Sequence, residues 1–266
     1  MGALDIGYPG FGLADLEEFF DSFGGVSPLL VSDYDGTLAP FRRERGEAVP
    51  PEETKDLVRR IAETGGEFIL LTGREASEAA ALLGVPAEVW GCHGWQRRFP
   101  GGDTVTMPLS GAEERALRLL PDMFPGFPSG AEELKPVSAA LHWRERPDVL
   151  EKYEKLEESI LERASEAGLE KLSFDGGVEF RLPSCTKGEA MKRILAARSF
   201  RDPVCYLGDD LTDEDAFRVL DGRGVGVLVS ALPAASAAAV RIRPEEVPEF
   251  LRRWLAALES GRRETP

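Results

Sequence analysis

The chain has 266 residues, of which 42% are hydrophobic and 30% charged, a composition typical of a globular protein with one large core or two smaller ones. Its 47 acidic residues outnumber 32 basic residues, which gives a net charge of −15. This charge argues against nucleic acid and anionic membrane surfaces as partners, because both are bound by basic patches.

The cysteines and the N-terminal segment predict a cytoplasmic protein. Cys92, Cys185 and Cys205 are widely spaced and form no CxxC pair, so neither a disulfide framework nor a zinc site is indicated. Residues 1–20 carry acids where a secretory signal carries lysine or arginine. No segment reaches the ~20 apolar residues of a membrane span.

Four short apolar runs, each ending in small or polar residues, predict the strands of a core. They are residues 29–36, 67–74, 87–94 and 203–210. Runs without polar alternation are typical of strands buried on both faces, as in a parallel sheet covered by helices. Helices are predicted at 52–64, 75–83 and 187–197. Alternating strands and helices of this kind predict a doubly wound α/β sheet.

The middle of the chain has a different character and predicts an inserted α+β domain. Its predicted elements are a helix at 111–120, an alternating strand at 136–144, a charged helix at 147–167 and two short strands around 171–181. Helices and strands that are segregated in this way indicate an α+β fold. We therefore predict a core formed by 1–107 and 183–266, with a cap domain at 108–182.

Polar residues end the predicted core strands and should gather at one edge of the sheet, where doubly wound proteins bind ligands. Two carboxylates separated by one residue, Asp33 and Asp35, precede Gly36. They would suit a hard cation, or a nucleophile beside a general acid/base, and the alternative is an exposed turn at the end of a strand. The residues expected at this edge are Asp33, Asp35, Thr72, His93, Asp209 and Asp210.

Cys92 and His93 are neighbours in the sequence, a pairing that could suggest a thiol nucleophile. Adjacent residues on a strand point to opposite faces, so this pair is not expected to act together. Cys92 is predicted to fill the core and His93 to lie near the substrate.

Taken in chain order, DYDGT (33–37), TGR (72–74), Lys187 and GDDLTDEDAF (208–217) resemble the four motifs of the haloacid dehalogenase superfamily of phosphotransferases. The resemblance implies a haloacid dehalogenase-like core. It also implies phosphoryl transfer to an aspartate of the enzyme, in place of direct attack by water.

The resemblance assigns a role to each motif. Asp33 would attack phosphorus and form an aspartyl phosphate, while Asp35 would protonate the leaving alkoxide and later deprotonate water. Thr72 would hold phosphoryl oxygens, and Lys187 would neutralise charge on Asp33 and the phosphoryl group. Mg²⁺ would be bound by the residues Asp33, Asp35 (through its backbone carbonyl) and Asp209, with support from Asp210 and Asp213.

Over about residues 28–228 the chain resembles the trehalose-6-phosphate phosphatases. The resemblance rests on DYDGTLAPF, LTGR, GCHGWQ, ELKPVSAALHWRER, VEFRLPSCTKGEA and YLGDDLTDEDAF. It implies substrate contacts from the core at Gly73, Arg74 and His93, and sugar contacts from the cap at Glu133, Lys135, Arg144 and Glu179. The chain departs from the family at 175–177, where relatives commonly carry a lysine.

The expected activity is magnesium-dependent hydrolysis of trehalose 6-phosphate to trehalose and phosphate. A trehalose-phosphate synthase of the same pathway is the candidate protein partner. A related phosphatase acting on sucrose phosphate, mannosyl-phosphoglycerate or glucosylglycerol phosphate is an alternative, favoured by the departure at 175–177. A catalytically silent sugar-phosphate-binding domain is disfavoured, because the chain carries Asp33, Asp35, Thr72, Lys187 and Asp209.

Overall fold

The computed structural model describes residues 7–42, 44–174 and 176–263, and the chain divides into two compact units. Unit 1 comprises Met1–Val105 and Lys187–Pro266, and unit 2 comprises Thr106–Thr186. The second boundary lies after the predicted 182/183 because the Ser184 hydroxyl donates to Glu113 and the Cys185 N–H donates to the Leu182 carbonyl, both within unit 2. The functional division into core and cap stays a prediction. Asp175, part of the departure at 175–177, lies outside the described residues.

Short strands run through both units of the described chain. In chain order they are β1 (Gly10–Phe11), β2 (Leu29–Ser32), β3 (Glu67–Leu71), β4 (Glu88–Gly91), β5 (Gln96–Arg98), β6 (Thr104–Thr106), β7 (Glu132–Lys135), β8 (Ser138–His142), β9 (Glu170–Phe174), β10 (Gly177–Arg181), β11 (Val204–Gly208), β12 (Val225–Val229) and β13 (Val240–Ile242). The four strands predicted for the core correspond to β2, β3, β4 and β11, which confirms them.

The α-helices confirm all five predicted helices to within about one residue at each end. They are α1 (Glu17–Asp21), α2 (Glu52–Glu63), α3 (Ala76–Leu83), α4 (Gly111–Leu119), α5 (Pro147–Ala167), α6 (Lys187–Ala196), α7 (Glu214–Val219) and α8 (Val247–Arg263). The α3 helix ends where Gly84 takes a left-handed conformation, as helix C-termini commonly do. Across the described ranges, no helix is both long and apolar enough to span a membrane.

The sheet that organises unit 1 has the strand order β1-β13-β12-β11-β2-β3-β4-β5-β6. Neighbours are parallel from β1 through β4, and β5 runs antiparallel to β4. Because β2 lies between β11 and β3, the carboxyl ends of these three strands adjoin. The loops after Ser32, Leu71 and Gly208 therefore start from one edge of the sheet.

The core of unit 1 is built from the apolar strands and the helices that cover them. Leu29, Leu30 and Val31 of β2 are fully buried, and β11 is buried at every position. The helix α8 contributes Trp254, which packs edge-on against Phe23 with ring centroids 4.7 Å apart. Fully burying one Leu or Phe side chain stabilises a fold by about 1.5–3 kcal/mol.

Unit 2 contains an antiparallel sheet with the order β7-β8-β10-β9 and the helices α4 and α5. The α5 helix, predicted as a charged solvated helix, turns Val149, Tyr153, Ile160 and Ala164 inward. Its exposed side carries charge pairs such as Lys155 with Glu151, whose Nζ and Oε1 are 2.6 Å apart. The β8 strand is buried at its first four positions and does not alternate as predicted. The β8 strand lies between β7 and β10 in the sheet, and its Ser and Ala side chains are small enough to be covered on both faces.

Candidate functional site

A buried ion-pair cluster lies at the carboxyl edge of the unit 1 sheet. Asp33 follows β2, and Lys187 is the first residue of α6. The Lys187 Nζ lies 2.9 Å from Asp33 Oδ1 and 2.6 Å from Asp213 Oδ1. The lysine side chain is 2% exposed and that of Asp213 is 0% exposed. A positive charge is unfavourable at the N-terminal end of a helix, where the helix dipole is itself positive. The two acids, and not the helix, therefore account for the position of Lys187.

Asp213 fixes the loop that follows β11. Its Oδ1 accepts hydrogen bonds from Lys187 Nζ and from the hydroxyl of Tyr206. Its Oδ2 accepts from the backbone N–H groups of Asp209 and Asp210, at 2.9 and 3.0 Å. A carboxylate offers about four lone-pair sites, so these bonds use the capacity of Asp213. No sequence signal marks Tyr206, because an aromatic residue in a buried strand resembles ordinary core.

Asp33 and Asp209 fit a divalent cation. Together with Asp213 they present carboxylate oxygens within 4.8 Å of one another, and Asp213 is already fully hydrogen-bonded. Removal from water raises the pKa of Asp33, although Lys187 acts in the opposite direction. Removal from water and repulsion from Asp33 likewise raise the pKa of Asp209. A hard cation with oxygen ligands would favour the ionised form of both groups, as Mg²⁺ does.

Gly36 lets the loop after β2 approach Asp209 closely. Its φ is +82°, and a Cβ atom at this position would collide with Asp209 Oδ2. The next residue, Thr37, donates a hydrogen bond from its hydroxyl to Asp209 Oδ1 at 3.1 Å. The sequence Asp-Gly-Thr therefore joins the first motif to the fourth through direct contacts.

Arg74 lies against Asp35 and not in open solvent. Its Nε and Nη2 donate to the two carboxylate oxygens of Asp35, each at 2.6 Å, and its Nη1 donates to Glu78 Oε1 at 2.6 Å. The guanidinium carbon also lies 5.3 Å from the ring centroid of Tyr34. The sequence predicts Arg74 as a substrate contact and assigns Glu78 no role. The structure pairs Arg74 with both Asp35 and Glu78, and the role of Arg74 as a substrate contact stays a prediction.

Thr72, Gly73 and His93 form the adjoining part of the edge. The hydroxyl oxygen of Thr72 accepts the backbone N–H of Arg74 at 3.2 Å, and the His93 N–H donates to the Thr72 carbonyl at 2.9 Å. A Cβ at Gly73 would lie 2.7 Å from Cε1 of His93, so glycine leaves room for the imidazole.

The conformation of Cys92 and His93 corrects one premise of the sequence analysis. The β4 strand ends at Gly91, and both residues lie in a 3-10 turn with positive φ values of 50° and 53°. The strand alternation expected to separate their side chains is therefore wrong at this point. Cys92 is 2% exposed, which agrees with its predicted place in the core.

A second polar cluster lies on the sheet of unit 2. Glu133 of β7 and Glu179 of β10 both stand opposite Ala140 of β8, so all three share one row of the sheet. Lys135 Nζ lies 3.1 Å from Glu179 Oε2 and 3.9 Å from Glu133 Oε2. His142, which the sequence analysis did not select, lies 3.1 Å from Glu133 through its Nε2.

Arg144 occupies a different part of unit 2 from the Glu133 row. It follows β8, is exposed, and lies beside Gly176 in the turn between β9 and β10. A Cβ at Gly176, whose φ is +81°, would come within 2.9 Å of the Arg144 Cβ. The glycine of the departure at 175–177 therefore provides Arg144 with its space.

Solved structures with a similar architecture show the fold of this chain. A C-terminal domain of trehalose-6-phosphate phosphatase from C. albicans matches with a TM-score of 0.74 at 20% identity, covering 95% of this chain and 99% of that one. A haloacid dehalogenase-like hydrolase from B. subtilis matches with a TM-score of 0.58 at 15% identity, covering 84% and 98%. The predicted haloacid dehalogenase-like α/β fold is confirmed.

The sequence comparisons identify the family. The family model described as trehalose-phosphatase matches residues 31–243. Trehalose 6-phosphate phosphatase RA3 of Zea mays is 30% identical over 268 residues, covering 91% of this chain and 73% of the relative. The chain belongs to the trehalose-phosphatase family, a family of phosphoric monoester hydrolases, and the resemblance noted in its motifs is confirmed.

Proposed function

We propose that this protein hydrolyses trehalose 6-phosphate to trehalose and phosphate, with Mg²⁺ as cofactor and an aspartyl phosphate as intermediate. The observation that carries the proposal is the buried cluster of Asp33, Lys187 and Asp213 in a member of the trehalose-phosphatase family. The cluster unites residues from three parts of the sequence around one lysine, which contacts the candidate nucleophile Asp33. Such convergence on a candidate nucleophile supports catalysis over simple binding.

In the first step, Asp33 Oδ attacks phosphorus and the bond between phosphorus and the sugar oxygen breaks. Lys187, 2.9 Å from Asp33, neutralises charge as the anionic carboxylate meets the phosphoryl group. The hydroxyl of Thr72 donates to a phosphoryl oxygen. Backbone near Gly73 and the ring of His93 complete the proposed phosphate side of the site.

Asp35 carries the proton in both steps. It protonates the sugar oxygen as that oxygen leaves, and the resulting carboxylate then takes a proton from the water that attacks the aspartyl phosphate. This second step releases inorganic phosphate and regenerates Asp33. Asp35 gives one proton to the departing sugar and regains one from water, so the cycle balances.

The cofactor would be held by Asp33, Asp209 and the backbone carbonyl of Asp35. When bound, Mg²⁺ supplies the positive charge that lets an anionic nucleophile approach an anionic phosphate. The hydrogen bonds from the backbone of Asp209 and Asp210 to Asp213 hold the loop, and the Thr37 hydroxyl donates to the Asp209 carboxylate. Asp210 is itself fixed by Thr212, whose hydroxyl donates to it at 2.6 Å.

The sugar part of the substrate is proposed to bind the cluster of Glu133, Lys135 and Glu179 in unit 2. Carboxylates accept hydrogen bonds from vicinal hydroxyls, and a lysine donates to them. The alignment of the two glutamates across Ala140 supports this role, because it leaves a small residue between two acceptors. Arg144 is a further proposed sugar contact.

The activity is tested by measuring phosphate release from a panel of sugar phosphates with magnesium and with EDTA. We expect trehalose 6-phosphate to be the best substrate, EDTA to stop its hydrolysis, and added magnesium to restore it. Higher activity on sucrose phosphate, mannosyl-phosphoglycerate or glucosylglycerol phosphate would instead favour a related sugar phosphatase, as the glycines at 176 and 177 do. Binding of these esters without release of phosphate would indicate a catalytically silent sugar-phosphate-binding domain.

Replacing Lys135 by Ala should separate specificity from chemistry. Loss of hydrogen bonds from a charged donor costs about 1.5–3 kcal/mol, or roughly ten- to hundredfold in kcat/KM for trehalose 6-phosphate. Hydrolysis of 4-nitrophenyl phosphate, which carries no sugar, should change by less than about twofold. The matched control is Lys171→Ala, which removes a unit 2 lysine paired with Glu157. A parallel loss on both substrates would contradict the sugar-binding role of Lys135.

A cytoplasmic location and a trehalose-phosphate synthase as pathway partner belong to the same proposal. The acidic net charge of −15 supports a protein that works on a small molecule without nucleic acid or a membrane surface. The local positive charge that an anionic substrate needs would come from Lys187 and the cofactor.

A further inference from the structure

The side chains of Asp35, Arg74 and Glu78 form a continuous chain of charge-assisted hydrogen bonds. Both Asp35 oxygens and one Glu78 oxygen accept from the same guanidinium, and each of the three distances is 2.6 Å. Exposure falls sharply at the centre of this chain: the side chains of Asp35 and Glu78 are 30% and 37% exposed, whereas that of Arg74 is 3% exposed. The arginine is therefore a buried link between two partly exposed acids.

The geometry of the link fixes the orientation of the Asp35 carboxylate. A planar guanidinium that binds both oxygens of a carboxylate prevents that carboxylate from rotating, which a single hydrogen bond would not do. Each Asp35 oxygen keeps a further lone pair, so the carboxylate can still exchange a proton.

Arg74 is in turn held from the side opposite Asp35. Its Nη1 donates to Glu78 in the first turn of α3, and its guanidinium carbon lies over the ring of Tyr34. The Nε and Nη2 atoms are thereby left to face Asp35. Because Arg74 itself precedes α3, the helix does not restrain this side chain, and Glu78 supplies the connection.

We propose that Glu78 is a positioning residue for the general acid/base Asp35 and that it acts through Arg74. The inference rests on the proposed function, in which Asp35 protonates the leaving alkoxide. The arrangement has the same logic as a catalytic base that is oriented by a third group. A purely structural role would be that of an acid in the first turn of a helix, which stabilises the helix but has no effect on chemistry.

The two roles differ in how the rate depends on the leaving group. A poor leaving group such as phenol or an alcohol needs a proton as it departs, whereas 4-nitrophenol departs readily as the anion. Loss of a well-oriented acid should therefore slow the first kind of ester selectively. The kcat/KM value includes only steps up to transfer of phosphorus to Asp33, so the later attack of water does not enter.

The experiment measures kcat/KM for phenyl phosphate and 4-nitrophenyl phosphate, two esters of similar size, in Glu78→Ala, Glu78→Gln and the wild type. General acid catalysis contributes about 10²–10⁴-fold, and partial loss of orientation should lower the phenyl to 4-nitrophenyl ratio about tenfold in Glu78→Ala. Glu78→Gln keeps an acceptor oxygen and should lose less. The matched control is Glu249→Ala. This change breaks the ion pair of Glu249 with Arg253 on α8, whose residues are four apart in the sequence, as Arg74 and Glu78 are.

The ratio is internal to each protein, so a misfolded fraction lowers both rates equally and leaves the ratio unchanged. A lowered ratio in the Glu78 variants, with an unchanged ratio in Glu249→Ala, supports the proposal. An unchanged ratio in Glu78→Ala overturns it, whatever the absolute rates. Absence of phosphatase activity would be a separate result, because the wild type would then release no phosphate from either ester, and failure of the substrate assignment would show only in the sugar-phosphate panel.

Discussion

Asp33→Asn is expected to abolish phosphate release from sugar and aryl phosphates alike while the protein stays folded. An amide oxygen is too weak a nucleophile to form the aspartyl phosphate. Asp213, the other acid on this lysine, has all its lone pairs engaged. Phosphate release is measured with trehalose 6-phosphate and 4-nitrophenyl phosphate.

Stability provides the control for Asp33→Asn. The buried Lys187 lies among four acids, Asp33, Asp209, Asp210 and Asp213, and removal from water raises the pKa of Asp33. A neutral amide of the same shape removes one buried acid and leaves the bond between Lys187 and Asp213 intact. Without metal, the thermal midpoint should therefore be unchanged or higher than in the wild type.

Trapping the intermediate makes the same prediction sharper. When substrate carrying labelled phosphate is mixed with enzyme and quenched in acid, the wild type should retain label on the protein and Asp33→Asn should not. Label on the Asp33→Asn protein, or release at the wild-type rate by the folded variant, would contradict the assignment of Asp33 as nucleophile.

The motifs can be located from the sequence because parallel sheets impose a simple rule. Each buried apolar run ends at the same edge, so the rule alone places Asp33, Thr72 and Asp209 together. Lys187 is harder to identify as a site residue, because a lysine followed by glycine normally lies in solvent at the start of a helix. Its burial follows from the acids that surround it, and those come from a different part of the chain.

The contacts within the site could not be predicted, because they depend on side-chain direction. The sequence predicts Arg74 as a substrate contact and does not indicate its pairing with Asp35, which the loop after β3 brings about. Glu78 shows no signal, since an acid in the first turn of a helix is common. Cys92 and His93 take positive φ values, which are uncommon for such residues and cannot be inferred from a strand pattern.

Some strands of the sheet escape prediction although the same rule applies to them. The β12 strand is a continuous apolar run like β2 and is buried at four of its five positions. It merges with the Ala- and Ser-rich stretch that follows, which hides its end. The edge strand β1 has two residues, which is too few for any periodicity to appear.

Lys187→Met should reduce both turnover and stability. Removing a donor that neutralises charge in the transition state costs about 10²–10³-fold in kcat. The two acids would also lose their only cation among the described contacts of this cluster, and breaking a buried pair costs about 3–5 kcal/mol. At about 2–4 °C per kcal/mol, the thermal midpoint should fall by roughly 6–20 °C. Lys192→Met is the matched control, since Lys192 lies on the same helix and its side chain is 59% exposed.

The loss of stability in Lys187→Met should depend on pH in a fixed direction. Burial raises the pKa of Asp33 and Asp213 in the folded protein, whereas the charge of Lys187 lowers the pKa of both. Removing Lys187 should therefore raise these two pKa values further. Unfolded aspartates titrate near about 4, so the folded state binds more protons above that pH and stability falls as pH rises. Metal-free Lys187→Met should therefore lie closer to the wild type at about pH 5 than at about pH 8 in thermal unfolding. A deficit that is constant with pH, or larger at the acidic end, would mean that Lys187 contributes packing and not charge to this site.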